Sequence, residues 1–78
     1  MSITLYSTPT CGFCHMLKEY LDQNNHAFTE KDITTDEDSL QWVLTNTGMA
    51  AVPVIDINGT IIVGFDKPKI EAALSAQS

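Results

Sequence analysis

Asn58-Gly59 sits between two runs of β-prone residues, Val52-Pro53-Val54-Ile55-Asp56-Ile57 and Thr60-Ile61-Ile62-Val63. A two-residue Asn-Gly connection favours a type I′ turn, whose twist matches that of the flanking strands. The segment is therefore predicted to be a tight antiparallel hairpin. The chain has 78 residues, enough for one core and too few for two. It is read as one domain, 1–78, in which the hairpin adds its strands to the same small sheet as everything before it.

The preceding half has alternating periods. Ile3 to Ser7 reads as a buried strand, broken by Thr8-Pro9-Thr10. From Cys11 the apolar residues Phe13, Met16, Leu17, Tyr20 and Leu21 fall at helical spacing, and Asn24-Asn25 ends the helix with turn chemistry. Ala27 to Ile33 is expected as a second strand, with Phe28 and Ile33 in the core. Thr34-Thr35-Asp36-Glu37-Asp38 reads as a helix start with a threonine N-cap and acids suited to the positive helix end. Leu40, Val43, Leu44 and Thr47 form the expected inward stripe and Gly48 the stop. Trp42 lies off that stripe, either partly exposed or against a loop. After Gly64, residues Lys67 to Ala76 form a last helix with Ile70, Ala73 and Leu74 inward, and Ser75 to Ser78 is expected to fray.

The order is βαβαββα. Its first half is a right-handed βαβ unit with parallel strands. The expected architecture is α/β, a four-stranded mixed sheet with helices on both faces.

Composition narrows the function. At 44% hydrophobic residues the chain is globular. Ten acidic residues against four basic ones give a net charge of −6, which argues against nucleic acid and anionic membrane as partners. No apolar run approaches a membrane span and no signal-like segment opens the chain, so a cytoplasmic monomer is expected. In that compartment a closely spaced cysteine pair is more often redox-active or metal-binding than structural.

That pair is Cys11-Gly12-Phe13-Cys14, placed where a strand gives way to a helix. Residues three apart at a helix start have Cα atoms roughly 5–6 Å apart, within reach of an unstrained disulfide. Bridging them closes so short a loop that little unfolded-chain entropy is removed, which argues against a structural staple. Free N–H groups and the positive helix end favour a thiolate there. Cys11, at the helix opening, is the candidate attacking thiolate. Cys14, a turn further in and on the side of Leu17 and Leu21, is the candidate resolving thiol.

Strand, Thr-Pro-Thr-Cys-Gly-Phe-Cys, helix, and later Val52-Pro53 and Gly64-Phe65 together resemble the glutaredoxin-like group of the thioredoxin fold, over nearly the whole chain. The resemblance implies that Pro53 is a cis-proline beside the cysteines, leaving the Val52 backbone free to pair with a substrate strand. It also implies that Thr10, Gly12 and Phe13 on one side, and Gly64, Phe65 and Asp66 on the other, flank the substrate. Phe65 also suits core packing, and Asp66 a helix cap.

Two departures bear on the electron donor. Thr8 stands where glutathione-using members typically carry a lysine, and Gly64-Phe65-Asp66-Lys67 replaces a Gly-Gly pattern. The latter is closer to the NrdH-redoxins, which implies electrons from thioredoxin reductase and NADPH, no tightly bound cofactor, and disulfide-containing protein substrates such as ribonucleotide reductase. A glutathione-dependent glutaredoxin is the alternative: Phe13 occupies an aromatic position typical of glutathione sites, and Lys18 or Lys67 could replace the missing cation.

A second alternative is a [2Fe–2S] carrier, because Cys-Gly-Phe-Cys resembles the Cys-Gly-Phe-Ser of monothiol glutaredoxins. Cys11 to His15 also matches haem attachment, but that chemistry needs export, and His15 is expected on the helix surface. No second closely spaced pair completes a zinc site, and no metal is expected. Met16 and Met49 are read as packing residues, with Met49, near Val52-Pro53, also placed to border the substrate groove.

Overall fold

The computed structural model describes residues 2–76. Seven elements follow in the expected order: β1 (Ile3–Ser7), α1 (Gly12–Gln23), β2 (Thr29–Asp32), α2 (Glu37–Thr47), β3 (Val54–Ile57), β4 (Thr60–Val63) and α3 (Lys67–Ala76). The sheet order is β2-β1-β3-β4. β1 is parallel to β2 and antiparallel to β3, and β3 is antiparallel to β4.

Two apolar clusters hold the layers together. On one face, Ile3, Leu5, Ile55, Ile57 and Ile62 pack with Leu17 and Leu21 of α1 and Ile70, Ala73 and Leu74 of α3. On the other, Tyr6, Ile33 and Val54 pack with Val43 of α2. Alternation along β1 divides the strand between the two clusters, because successive side chains point to opposite faces.

The hairpin forms as predicted. Asn58 and Gly59 both take positive φ, 51° and 101°, as a type I′ turn requires. The Asp56 carboxylate accepts the Gly59 N–H at 2.8 Å. The expected strand from Val52 is shortened to Val54–Ile57, because Pro53 has no N–H to give the ladder.

α1 ends in a Schellman closure. The His26 N–H donates to Leu21 and the Asn25 N–H to Asp22, with Asn25 at φ 60°. Its buried residues are Cys14, Leu17 and Leu21. Of the expected stripe, Leu17 and Leu21 are buried and Tyr20 packs against the core, whereas Phe13 is 63% and Met16 49% exposed.

The second helix begins later than expected, with Asp36 as its N-cap. Asp32 explains the delay. Its carboxylate accepts both the N–H and the hydroxyl of Thr34, at 2.8 and 2.6 Å, and its carbonyl accepts the N–H of Thr35 and of Asp36. Both threonines are thus spent in a turn. Gly48 stops the helix at φ 81° as expected. Leu44 is 37% exposed, so it leaves the inward stripe, whereas Trp42 stacks on Tyr6 of β1 with centroids 4.3 Å apart. Strand β2 is shorter than Ala27–Ile33, with Phe28 half-buried before it and Ile33 buried after it. In the expected frayed tail, Ser75 and Ala76 are helical, and Gln77 and Ser78 lie outside the described residues.

Candidate functional site

Register brings three segments to one end of the sheet. Tyr6 pairs with Val54, and Val54 with Val63. The residues just beyond these pairs therefore leave the sheet together: Ser7-Thr8 toward the cysteines, Pro53 before β3, and Gly64 after β4. The Val52-Pro53 peptide is cis, as the resemblance implied, and the Gly64 N–H donates to the Pro53 carbonyl at 2.8 Å. Pro53 is buried and Val52 half-buried.

Cys11 is the N-cap of α1, in extended conformation. Its N–H donates to the Thr8 carbonyl at 3.3 Å, and its own carbonyl accepts the His15 N–H at 3.2 Å. Its half-exposed sulfur accepts the Cys14 N–H at 3.2 Å. A sulfur thus takes the place of the Ser or Asp oxygen usual at an N-cap, on one of the helix's orphan donors. Cys14 is 1% exposed. Burial above all, then its hydrogen bond to Cys11, pushes the Cys14 thiol up to about 12, while the Thr8 backbone and the Lys18 charge act the other way. Both cysteines are free thiols. One sulfur is accessible and held by a backbone donor, and the other is buried behind it with its proton.

Beside Cys11, residues Gly12, Phe13 and Met16 line an open, mainly apolar hollow of about 280 Å³. Met16 is read as a packing residue from its helical spacing, whereas the structure places it at the hollow. The expected burial of Cys14 carries the correct phase: a buried Cys14 requires Leu17 and Leu21 inward and Met16 outward. Thr10 is exposed in the turn before Cys11.

The segment after β4 does two jobs. The Asp66 carboxylate accepts the Lys69 N–H at 3.4 Å, capping α3. Phe65 is half-buried against the first apolar cluster, its ring centroid 6.1 Å from that of Tyr20. Both lysines considered as replacement cations have intramolecular partners. Lys18 pairs with Glu30 at 2.9 Å, and the Lys67 ammonium lies 5.5 Å over the Tyr20 ring. His15 is on the surface, 3.2 Å from Glu19. A second hollow, of about 260 Å³ and lined by Tyr6, Lys31, Asp36, Asp38, Ser39 and Trp42, shares no residue with the cysteine segment.

A mixed four-stranded sheet between helical layers, with two thiols at the first helix start and a cis-proline opening the adjacent antiparallel strand, defines a thioredoxin-fold dithiol protein. The glutaredoxin family model matches residues 3–62. A glutaredoxin-like 8.6 kDa protein of the Clostridium pasteurianum rubredoxin operon, itself uncharacterized, is 41% identical over 69 residues, 88% of this chain and 92% of that one. The chain belongs to the glutaredoxin family. Among solved structures, a mutant of the thioredoxin-like protein BC3987 superposes with a TM-score of 0.89 at 30% identity, covering 95% of each chain. A glutaredoxin from Archaeoglobus fulgidus gives 0.82 at 20% identity over 94% of this chain and 85% of its own, a likeness of fold. Members of this family are generally thiol oxidoreductases acting on disulfides with a reductant. No helix among the described residues is long and apolar enough to cross a membrane.

Proposed function

We propose that the chain is a thiol–disulfide oxidoreductase that reduces protein disulfides through Cys11 and Cys14. The observation that carries this reading is the asymmetry of the pair: a half-exposed Cys11 sulfur accepting a helix N–H, in front of a buried, protonated Cys14. The Cys11 thiolate attacks one sulfur of the substrate disulfide. A Cys11–substrate bond forms, the substrate S–S bond breaks, and the first substrate thiolate leaves and takes up a proton. Cys14 then attacks the Cys11 sulfur, closing Cys11–Cys14 and expelling the second substrate thiol. Two electrons and two protons pass from the protein dithiol to the substrate. Cys14→Ser is expected to trap the mixed disulfide, and Cys11→Ser to abolish turnover.

Thr10, Gly12 and Phe13 form one lip of the substrate groove, and Val52, Pro53, Gly64 and Asp66 the other, with Phe65 bracing it from the core. The electron donor is a thioredoxin reductase using NADPH, and the substrates are proteins of the ribonucleotide reductase kind. Supporting this choice, Thr8 offers no charge where a glutathione carboxylate would need one, and Lys18 and Lys67 are engaged elsewhere. The test follows NADPH oxidation with a small disulfide, supplying either thioredoxin reductase or glutathione with glutathione reductase. Turnover with thioredoxin reductase alone supports the proposal. Turnover with glutathione alone overturns the donor, and turnover with neither overturns the activity.

A further inference from the structure

The resolving step has a difficulty that the cysteines do not solve themselves. Cys14 must become a nucleophile while buried, and burial opposes its charged form. The groups that act on its thiol are Cys11, the Thr8 backbone and Lys18. Once Cys11 is bound in a mixed disulfide it carries no charge and accepts no thiol proton, so both of its effects vanish. Burial is then left to be countered by Thr8 and Lys18 alone.

Lys18 is built into position. It lies four residues beyond Cys14 on α1, and helical side chains lean back toward the N-terminus, over the preceding turn. Its ammonium is 2.9 Å from Glu30 Oε2 on the edge strand β2. The same oxygen accepts the hydroxyl of Ser7 at 2.8 Å. Ser7 is 2% exposed, at the end of β1 and one residue from Thr8. Hydrogen bonds from Lys18 and then Ser7 hold the Glu30 carboxyl below its ordinary range, so the anchor stays ionised. Three elements thus fix one ammonium, carried one helical turn beyond the resolving cysteine.

We propose that Lys18, positioned by Glu30 and Ser7, stabilises the negative charge that develops on the Cys14 sulfur as it resolves the mixed disulfide. The inference rests on the dithiol reading above and assigns it a third group. In that step the Cys14–Cys11 bond forms, the Cys11–substrate bond breaks, and the proton shed by Cys14 ends on the departing substrate thiolate. Lys18 supplies charge only and exchanges neither proton nor electron.

The test uses dithiodipyridine, an uncharged disulfide that releases one coloured thiopyridone when Cys11 attacks and a second when Cys14 resolves. Stopped-flow separates the two releases. Removing a half-exposed charge one helical turn away is expected to lower the Cys14 thiolate fraction by about tenfold. The less stabilised thiolate is a better nucleophile by about threefold, so the net slowing is about threefold. Lys18→Met, which keeps the aliphatic stem, is therefore expected to slow the second release about threefold across the rising limb of its pH profile, leaving the first unchanged. Lys18→Arg is expected to restore it, and Glu30→Gln to slow it less. An unchanged second release in Lys18→Met overturns the proposal, as does failure of Lys18→Arg to rescue in a protein with native circular dichroism. Failure of the dithiol reading is distinct: the first release would then be missing in the parent, or the second would persist in Cys14→Ser.

Discussion

Raising the pH from about 9 to about 10.5 is expected to destabilise the reduced protein by about 1.6 kcal/mol more than its Cys14→Ala variant. The magnitude follows from the Cys14 thiol, which burial and its hydrogen bond to Cys11 push from 9.0 to about 12. The folded protein keeps a proton that the unfolded chain sheds between those values. Stability from this group is therefore whole below the unfolded value and lost as pH rises toward the folded one. At 1.36 kcal/mol per pH unit for one proton, the whole window is about 4 kcal/mol. A chain of this size has only ~4–12 kcal/mol in total, so the range must stop well short of pH 12. Urea unfolding under reductant at successive pH values, read as the difference between parent and variant, isolates the effect. The raised Tyr6 and Tyr20 titrate in both proteins and cancel. If the two curves stay parallel over this range, Cys14 is not holding its proton by burial, and the asymmetry of the dithiol loses its physical basis.

Trp42→Ala removes the stack on Tyr6 and the packing of the ring against the second apolar cluster. It is expected to cost about 2–3 kcal/mol, below a fully buried tryptophan because the ring is half-exposed, and urea midpoints check it. Phe65→Ala is expected to cost about 2–3 kcal/mol in the same assay while moving the substrate KM by less than about twofold. A large KM rise in a stable variant would instead make Phe65 a substrate contact. Gly64 sits at φ 84° with nothing within 4 Å of an added Cβ. Gly64→Ala therefore loses about 1–2 kcal/mol from backbone conformation alone, with Gly64→Asn recovering part of it in thermal unfolding.

The elements most legible in the sequence were those fixed by local chemistry. Asn58-Gly59 specifies its turn through positive φ at two positions, and Gly48 and Asn25 end helices for the same reason. Where neighbours competed, local reading failed. Thr34 and Thr35 are good caps in isolation, but Asp32 reached them first through a turn that only the end of β2 could position. Phe13 and Met16 match a helical period as well as Leu17 and Leu21 do, and periodicity alone does not say which side of a two-sided stripe meets the sheet. Lys18 and Glu30 are twelve residues apart on different elements, so their pairing depends on how α1 lies over the parallel β1–β2 edge. The Tyr6–Trp42 stack likewise needs α2 docked on the opposite face.

The phase of α1 is where fold and chemistry become one question. A spacing of three from an N-cap carries the chain nearly one helical turn, so Cys14 comes back toward Cys11 while joining the stripe that continues through Leu17 and Leu21. One residue less or more would rotate the second sulfur by about 100° around the axis, off the buried stripe. The same rotation that buries Cys14 turns Phe13 and Met16 outward beside Cys11, making the apolar hollow and the buried thiol two consequences of one helix orientation. That orientation is set by sheet-facing leucines two and three turns from the motif start. A substitution such as Leu21→Asp, far from the sulfurs, is therefore a perturbation of both thiols through the fold.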